Sequence, residues 1–212
     1  SPLHFMGLFS TGSVHAYAEH VYALLDFAKK QEVPRVYLHL FTDGRDAPPE
    51  EAAGFFRKFS EVVLLKYPFA KITSVVGRHF AMDRDANWEQ IEVAYNLVIN
   101  GNGEPFDDAA NHIEKQYAAG VTDEFINPGF LKDSAGNPVG RIQENDAVIF
   151  FNFREDSARE LTEAFTSNSF DRFGITKIPN LLFVTMTKYS DKFTAEVAFP
   201  TLDVSRPLGR II

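Results

Sequence analysis

Four arginines and a histidine of this chain stand where charge could grip a ligand, each just beyond a run of strand-forming residues. His15 follows residues 3–9, Arg45 and Asp46 follow 36–41, Arg78 and Arg84 follow 72–76, and Arg154 follows 147–151. Ligands of open α/β sheets bind beyond the carboxyl ends of the strands, so these side chains are expected to converge on one pocket. The ligand such a pocket would take is a small molecule with several negative charges. The planar arginine fork holds carboxylate or phosphate through parallel charge-assisted bonds, each worth about 1.5–3 kcal/mol. Taken singly, each element also has a plainer reading. The turn Ser10-Thr11-Gly12-Ser13 can cap a helix as well as hold a phosphate. His15 can pack or cap, Asp43-Gly44-Arg45-Asp46 can be an Asp-Gly turn with a surface ion pair, and Arg78 and Arg84 lie on a loop without a regular motif. Only their convergence lifts them.

Covalent chemistry is not visible. Ser10 and Ser13 neighbour His15, but the chain has neither a G-x-S-x-G elbow nor a P-loop. His4, His15, His20, His39, His79 and His112 show no H-E-x-x-H or H-x-H spacing, and Asp83-Arg84-Asp85 interposes a cation between its carboxylates. No catalytic metal is therefore expected in this chain. The absence of cysteine excludes thiolate catalysis, cysteine-ligated zinc, iron–sulfur centres and disulfides.

The elements that must position these residues alternate. Residues 3–9 read as a buried strand, and apolar residues at helical spacing from Val14 to Ala28 give an amphipathic helix that ends at Lys29-Lys30. A second strand covers 36–41, and Pro48-Pro49-Glu50-Glu51 opens a second helix. A third strand covers 72–76; Gly77 to Asp85 reads as loop, and Trp88 to Val98 as helix. Residues 101–146 break the rhythm and are expected to be a helical or irregular excursion, with a helix near 107–119 and a Gly/Pro/Asn-rich stretch from 127 to 140. Strand, loop and helix return over 147–151, 152–156 and 158–165, with a further strand at 181–185 and an edge strand near 196–199. The order predicts an α/β fold: a mostly parallel β-sheet with helices on both faces, in three layers α/β/α.

The 212 residues are expected to form a single domain with a large core. A formal charge of −8 argues against duplex nucleic acid or an anionic membrane as the main partner, leaving a small-molecule substrate. No apolar run is long enough for a membrane span and no signal-like segment opens the chain, so a soluble, cytoplasmic protein is expected. Ser1 leads directly into apolar residues, and Leu208-Gly209-Arg210-Ile211-Ile212 has no polar tail, so both ends read as cut from something longer.

At the same residues the sequence resembles the cofactor-independent (2,3-bisphosphoglycerate-independent) phosphoglycerate mutase family, specifically its inserted phosphotransferase domain. Met6-Gly7-Leu8 through Gly12-Ser13-Val14-His15 is similar to the family's M-G-L-x-S-x-G-G-V-H, and Phe41-Thr42-Asp43-Gly44-Arg45-Asp46 to its F-x-D-G-R-D. Gly77 to Asp85 is similar to G-R-x-x-A-M-D-R-D, and Ala147 to Arg154 to A-V-I-F-F-N-F-R. The resemblance covers essentially the whole chain. It implies that His15, Arg45, Asp46, Arg78, Arg84 and Arg154 bind phosphoglycerate, with Asp46 as the catalytic proton shuttle at the glycerate hydroxyls. It further implies an isomerase of glycolysis whose serine nucleophile and pair of manganese ions belong to a phosphatase-like partner domain of the parent chain. That partner is absent here, so the isolated chain is expected to hold substrate without turning it over.

The chain departs from the family pattern at two places. R-x-D-R becomes Arg154-Glu155-Asp156-Ser157, which leaves one cationic anchor missing unless Arg159 reaches in. Thr11 and Ser13 stand where the family shows Asp and Gly. These departures motivate an alternative expectation, a non-catalytic or divergent phospho-metabolite-binding module that has lost mutase competence.

Overall fold

Val, Ile, Leu and Phe dominate the central strands because both faces of a parallel sheet are covered. In the computed structural model, which describes residues 1–200, they form an eight-stranded sheet. Its strands are β1 (Leu3–Leu8), β2 (Val36–Thr42), β3 (Ala70–Gly77), β4 (Glu104–Phe106), β5 (Gly129–Leu131), β6 (Ala147–Phe150), β7 (Leu182–Thr185) and β8 (Glu196–Val197). They lie in the order β4-β5-β3-β2-β1-β6-β7-β8, parallel throughout except where β5 runs antiparallel to β3. The helices are α1 (Ala18–Lys30), α2 (Ala52–Lys66), α3 (Arg78–Ala81), α4 (Trp88–Asn100), α5 (Ala109–Tyr117) and α6 (Arg159–Thr166). Right-handed crossovers put α1 and α2 on one face of the sheet and α6 on the other; α5 packs on α2 and α4 on α6, which places them on the same two faces. The strand order reverses at β1, whose neighbours are β2 and β6. That is the switch point at which doubly wound sheets open a crevice.

Phenylalanine fills the layers. Phe5, Phe9, Phe41, Phe56, Phe59, Phe150 and Phe151 are all fully buried, and the Phe9 ring lies 4.7 Å from that of Phe55 and 4.5 Å from that of Phe59. This pins the chain just beyond β1, where the His15 loop begins.

Three local expectations are corrected. The stretch 101–146 contains its helix, α5, but it is not merely an excursion, because β4 and β5 rejoin the sheet at the edge beside β3. Three-residue strands are too short to show a period-2 pattern, and it is the burial of Phe106 and Phe130 that recruits them. The first helix begins at Ala18 rather than near Val14, since the His15 carbonyl is taken by the N–H groups of Phe153 and Arg154. Arg78 to Ala81 form one helical turn rather than loop. The C-terminal stretch 208–212 lies outside the described residues.

A buried polar chain crosses the centre of the sheet. A register shift between Leu38 and His39 sets Ser74 opposite His39, whose Nδ1 lies 2.7 Å from Ser74 Oγ. His39 Nε2 lies 2.9 Å from His4 Nδ1, and His4 Nε2 lies 3.1 Å from Asp146 Oδ2. Burial pushes both imidazoles below their ordinary value of 6.5, His39 well below it, with the Asp146 carboxylate opposing the change at His4. Imidazoles kept neutral by the fold but free to protonate when unfolded make the unfolded state bind more protons below about pH 6.5, so their contribution is intact above that pH and declines beneath it. Urea unfolding is therefore expected to show falling stability from neutral pH toward pH ~5. The fall should be smaller in a His4→Phe, His39→Leu double variant; an equal fall in both proteins would exclude the pair as its source.

Candidate functional site

The carboxyl ends of β1, β2, β3 and β6 surround a cavity of about 540 Å³. His15, Arg45, Asp46, Arg78, Arg84 and Arg154 all line it. The expected convergence is thus present, and all six side chains meet at one site.

The loops reach it through specific local chemistry. Beyond β2, Asp43 closes the Asp-Gly turn: its Oδ1 accepts the N–H of Arg45 at 3.1 Å and of Asp46 at 2.9 Å. Gly44 in this turn has φ +74°, and an added Cβ would lie 2.7 Å from the Glu124 nitrogen, so glycine is needed for both shape and space. The β1 loop lies directly on this turn, since a Cβ on Gly12 would meet the Asp46 carbonyl oxygen at 2.9 Å. Ser10 Oγ donates to Asp43 Oδ2 at 2.7 Å and accepts from the Gly12 N–H at 3.1 Å. Thr11 neither caps α1 nor lines the cavity; its N–H and hydroxyl donate to Glu51.

Every cation in the cavity wall is matched by a carboxylate. Arg78 is buried and one of its Nη atoms donates to Asp43 at 2.8 Å and to Asp46 at 2.6 Å. Arg84 and Arg154 donate to the same Asp156 oxygen at 2.8 and 2.7 Å. Arg45 is largely exposed and its Nε pairs with Glu124 at 2.7 Å. His15 is buried between two carboxylates, Nδ1 3.4 Å from Asp156 and Nε2 3.7 Å from Asp46.

The titration of these groups follows from this packing. Burial pushes the Asp43 carboxyl up, but hydrogen bonds from the Asp46 N–H, Ser10 and Arg78 together bring it below its ordinary value. Asp156 behaves alike: burial raises it, and the Ser157 N–H and Arg154 more than compensate. Burial works against the Arg78 charge, yet the bonds to Asp46 and Asp43 raise its value further. His15 is lowered by burial first and by Arg78 next, against the pull of Asp156, so the imidazole is neutral near pH 7 and can both donate and accept.

The structure adds residues that the sequence did not single out. Asp43 and Asp156 tie the arginines together, although both lie inside the quoted motifs. Glu124 arrives from a 3₁₀ turn at Asp123–Phe125, with no sequence signal. His79, Asn87 and Gln90 complete the wall. Ser157 also lines the cavity, and its N–H donates to Asp156 at 2.9 Å. Arg159 does not compensate for it: its Nε donates to the Tyr189 carbonyl at 2.9 Å and an Nη to Glu155 at 3.2 Å. Among the described residues no group of three or more His, Asp or Glu side chains is arranged to hold a metal ion.

Comparison with known proteins gives a consistent result. The family model described as the BPG-independent PGAM N-terminus matches residues 1–191. The 2,3-bisphosphoglycerate-independent phosphoglycerate mutase of Flavobacterium psychrophilum is 41% identical over all of this chain, which spans 41% of that protein's length. The mutase of the same name from Clostridium beijerinckii is 44% identical, again over all of this chain and 41% of its own length. A crystal structure of Leishmania mexicana phosphoglycerate mutase, determined at low cobalt concentration, superposes with a TM-score of 0.90 at 30% identity. It covers 97% of this chain and 39% of that one.

Removing one member of the ion network should expose its cost. Arg78→Leu leaves Asp43 buried beside Ser10 without its cation, and is expected to lower the free energy of unfolding at neutral pH by about 3 kcal/mol. Adding Asp43→Asn should recover part of that loss. Urea denaturation of the two variants tests this, and an Arg78→Leu protein as stable as the parent would show that the pair contributes nothing.

Proposed function

The chain belongs to the BPG-independent phosphoglycerate mutase family, and from that premise we propose that it is the substrate-holding part of a mutase interconverting 3-phosphoglycerate and 2-phosphoglycerate. The observation that carries this reading is the gathering of four guanidinium groups and His15 from four strand ends around one cavity. Its volume, about 540 Å³, lies within the range of small-molecule sites. A phosphoglycerate brings a carboxylate and a phosphoryl group, and fixed guanidinium forks bind both without reorganising.

In this reading the phosphoryl group moves from the 3-hydroxyl oxygen of glycerate to a serine in the part of the protein that this chain does not include. Glycerate stays in the cavity, and the phosphoryl then returns to the 2-hydroxyl oxygen. Asp46, which faces the cavity and is held by Arg78 at 2.6 Å, is placed to shuttle a proton between the two glycerate hydroxyl oxygens, so that the one taken from the attacking hydroxyl balances the one the departing oxygen receives. Neutral His15 lies 3.7 Å from that carboxyl and faces the same cavity, while Arg84 and Arg154 hold the substrate charge against solvent. The contribution of this half is retention: released glycerate would leave the phosphoryl group to water and make the reaction a phosphatase. Manganese is assigned to the remaining part of the protein, and the setting to cytoplasmic glycolysis. The alternative of a module without mutase competence is less favoured, because the six side chains remain assembled and relatives over the full chain carry the mutase name.

Calorimetric titration of the chain with D-3-phosphoglycerate is expected to give weak saturable binding. Arg84→Ala or Arg154→Ala should weaken it by roughly tenfold or more, as loss of one charge-assisted bond implies. A folded chain that takes up no ligand at millimolar concentration would overturn the reading. In the full-length protein, Ser157→Arg is expected to raise turnover by roughly tenfold, the effect of one restored charge-assisted bond that tightens in the transition state.

A further inference from the structure

Arg84 sits on a loop folded over a carboxylate, and a second carboxylate closes that loop from behind. Asp83 accepts the N–H groups of Asp85 at 3.0 Å and Asn87 at 2.8 Å, and the Asn87 side-chain amide at 2.9 Å. Between them Ala86 has φ +64°, a left-handed conformation that costs a non-glycine residue about 1 kcal/mol and persists only where the surroundings fix it. The group that fixes it comes from α6: Glu160 Oε1 accepts the Ala86 N–H at 3.0 Å.

The other Glu160 oxygen poses a problem that the geometry resolves in one way. Oε2 is buried and no donor reaches it. Beside the Glu160 carboxyl lies Asp83, itself a carboxylate already accepting three bonds. Two ionised carboxylates cannot share such a site, whereas a proton on Glu160 donated to Asp83 gives both groups a partner. The charged groups acting on Glu160 from the facing loop are Asp83 and Asp85, both acidic; on its own helix Arg159 is turned to Tyr189 and Glu155, and Arg84 is turned to Asp156. Burial is the main influence, reinforced by these two acids, and it pushes Glu160 up to about 7. The stabilising contribution of the bridge is complete below the ordinary value of 4.5 and is lost as pH rises through about 7.

We propose that Glu160 is a positioning residue for the anion site: protonated, it ties the Asp83–Asn87 loop to α6 and so holds Arg84 beside Arg154, and ionised, it releases that loop. The consequence for ligand binding rests on the substrate-holding reading above; the loop coupling itself does not. Affinity for an anion in the cavity then declines through neutrality, although a phosphoryl group gains charge over the same range.

Two measurements separate the parts. In ¹⁵N spectra of the chain, the Ala86 amide and the indole of Trp88, the only tryptophan, are followed from about pH 5.5 to about pH 8.5. Both are expected to shift in one step near pH 7. Glu160→Gln, whose amide can accept from Ala86 and donate to Asp83, should abolish the step and keep the low-pH positions. Glu160→Ala should show the high-pH positions throughout. The same step in Glu160→Gln, or none in the parent chain, overturns the proposal. In calorimetry with D-3-phosphoglycerate, affinity of the parent chain relative to Glu160→Gln should fall roughly fivefold across the step, the effect of one lost hydrogen bond. A ratio independent of pH overturns the positioning role. A step confined to the parent chain, together with no binding to either protein, supports the coupling and removes phosphoglycerate as the ligand.

Discussion

Carboxylates placed between guanidinium groups are what allow one cavity to be lined by four arginines. Two like charges about 4 Å apart repel by roughly 4 kcal/mol at the effective dielectric of a partly exposed site. Bringing such groups from four strand ends without counter-charges would oppose folding. Asp156 bridges Arg84 and Arg154 through one oxygen, Asp43 and Asp46 share Arg78, and Glu124 takes Arg45. The site is thus neutralised in advance, which fits a chain of net charge −8. A ligand with several negative charges competes for donors that are already oriented, so it gains their directionality without the cost of ordering them.

These ion pairs depend on close backbone approaches that the scaffold provides. The Asp43 turn holds three strand-end loops: through its carboxylate it binds the backbone of Arg45 and Asp46, the hydroxyl of Ser10 and the guanidinium of Arg78. The glycine at position 12 lets the β1 loop lie against the Asp46 carbonyl, and the His15 carbonyl then receives the N–H groups of Phe153 and Arg154. Sheet, loops and charges therefore form one arrangement rather than three. The Phe9 stack and the buried Ser74–His39–His4–Asp146 chain hold the strands whose ends carry it.

Two features stand out beside Arg84 and Arg154. Ser157 puts a hydroxyl and a hydrogen-bonding N–H where the family pattern has a cation, and Arg159 is committed elsewhere. Ser157 therefore adds no cation to a wall that also carries Asp83, Asp85, Asn87 and Gln90. The Glu160 carboxyl, which accepts the Ala86 N–H at 3.0 Å, links the loop of Arg84 to the helix that follows Arg154. Ser157 and Glu160 thus both belong to the Arg154 side of the fold, on the 3₁₀ turn and helix that follow it.

The sequence by itself determined the alternation of strands and helices, the parallel sheet and the six side chains of the cavity. Strand-end position is a local property, written in runs such as 36–41 followed by Asp43-Gly44-Arg45-Asp46. Tertiary structure alone decided the pairings: that Asp156 serves two arginines, that Glu124 reaches Arg45 from a 3₁₀ turn, that Glu160 meets Asp83, and that β4 and β5 close the sheet edge. The reason is one of range. Periodicity and turn chemistry act over a few residues and leave a record in the local pattern. An ion pair between residues 84 and 156, or a hydrogen bond between 86 and 160, exists only once the sheet has fixed the distance between loops.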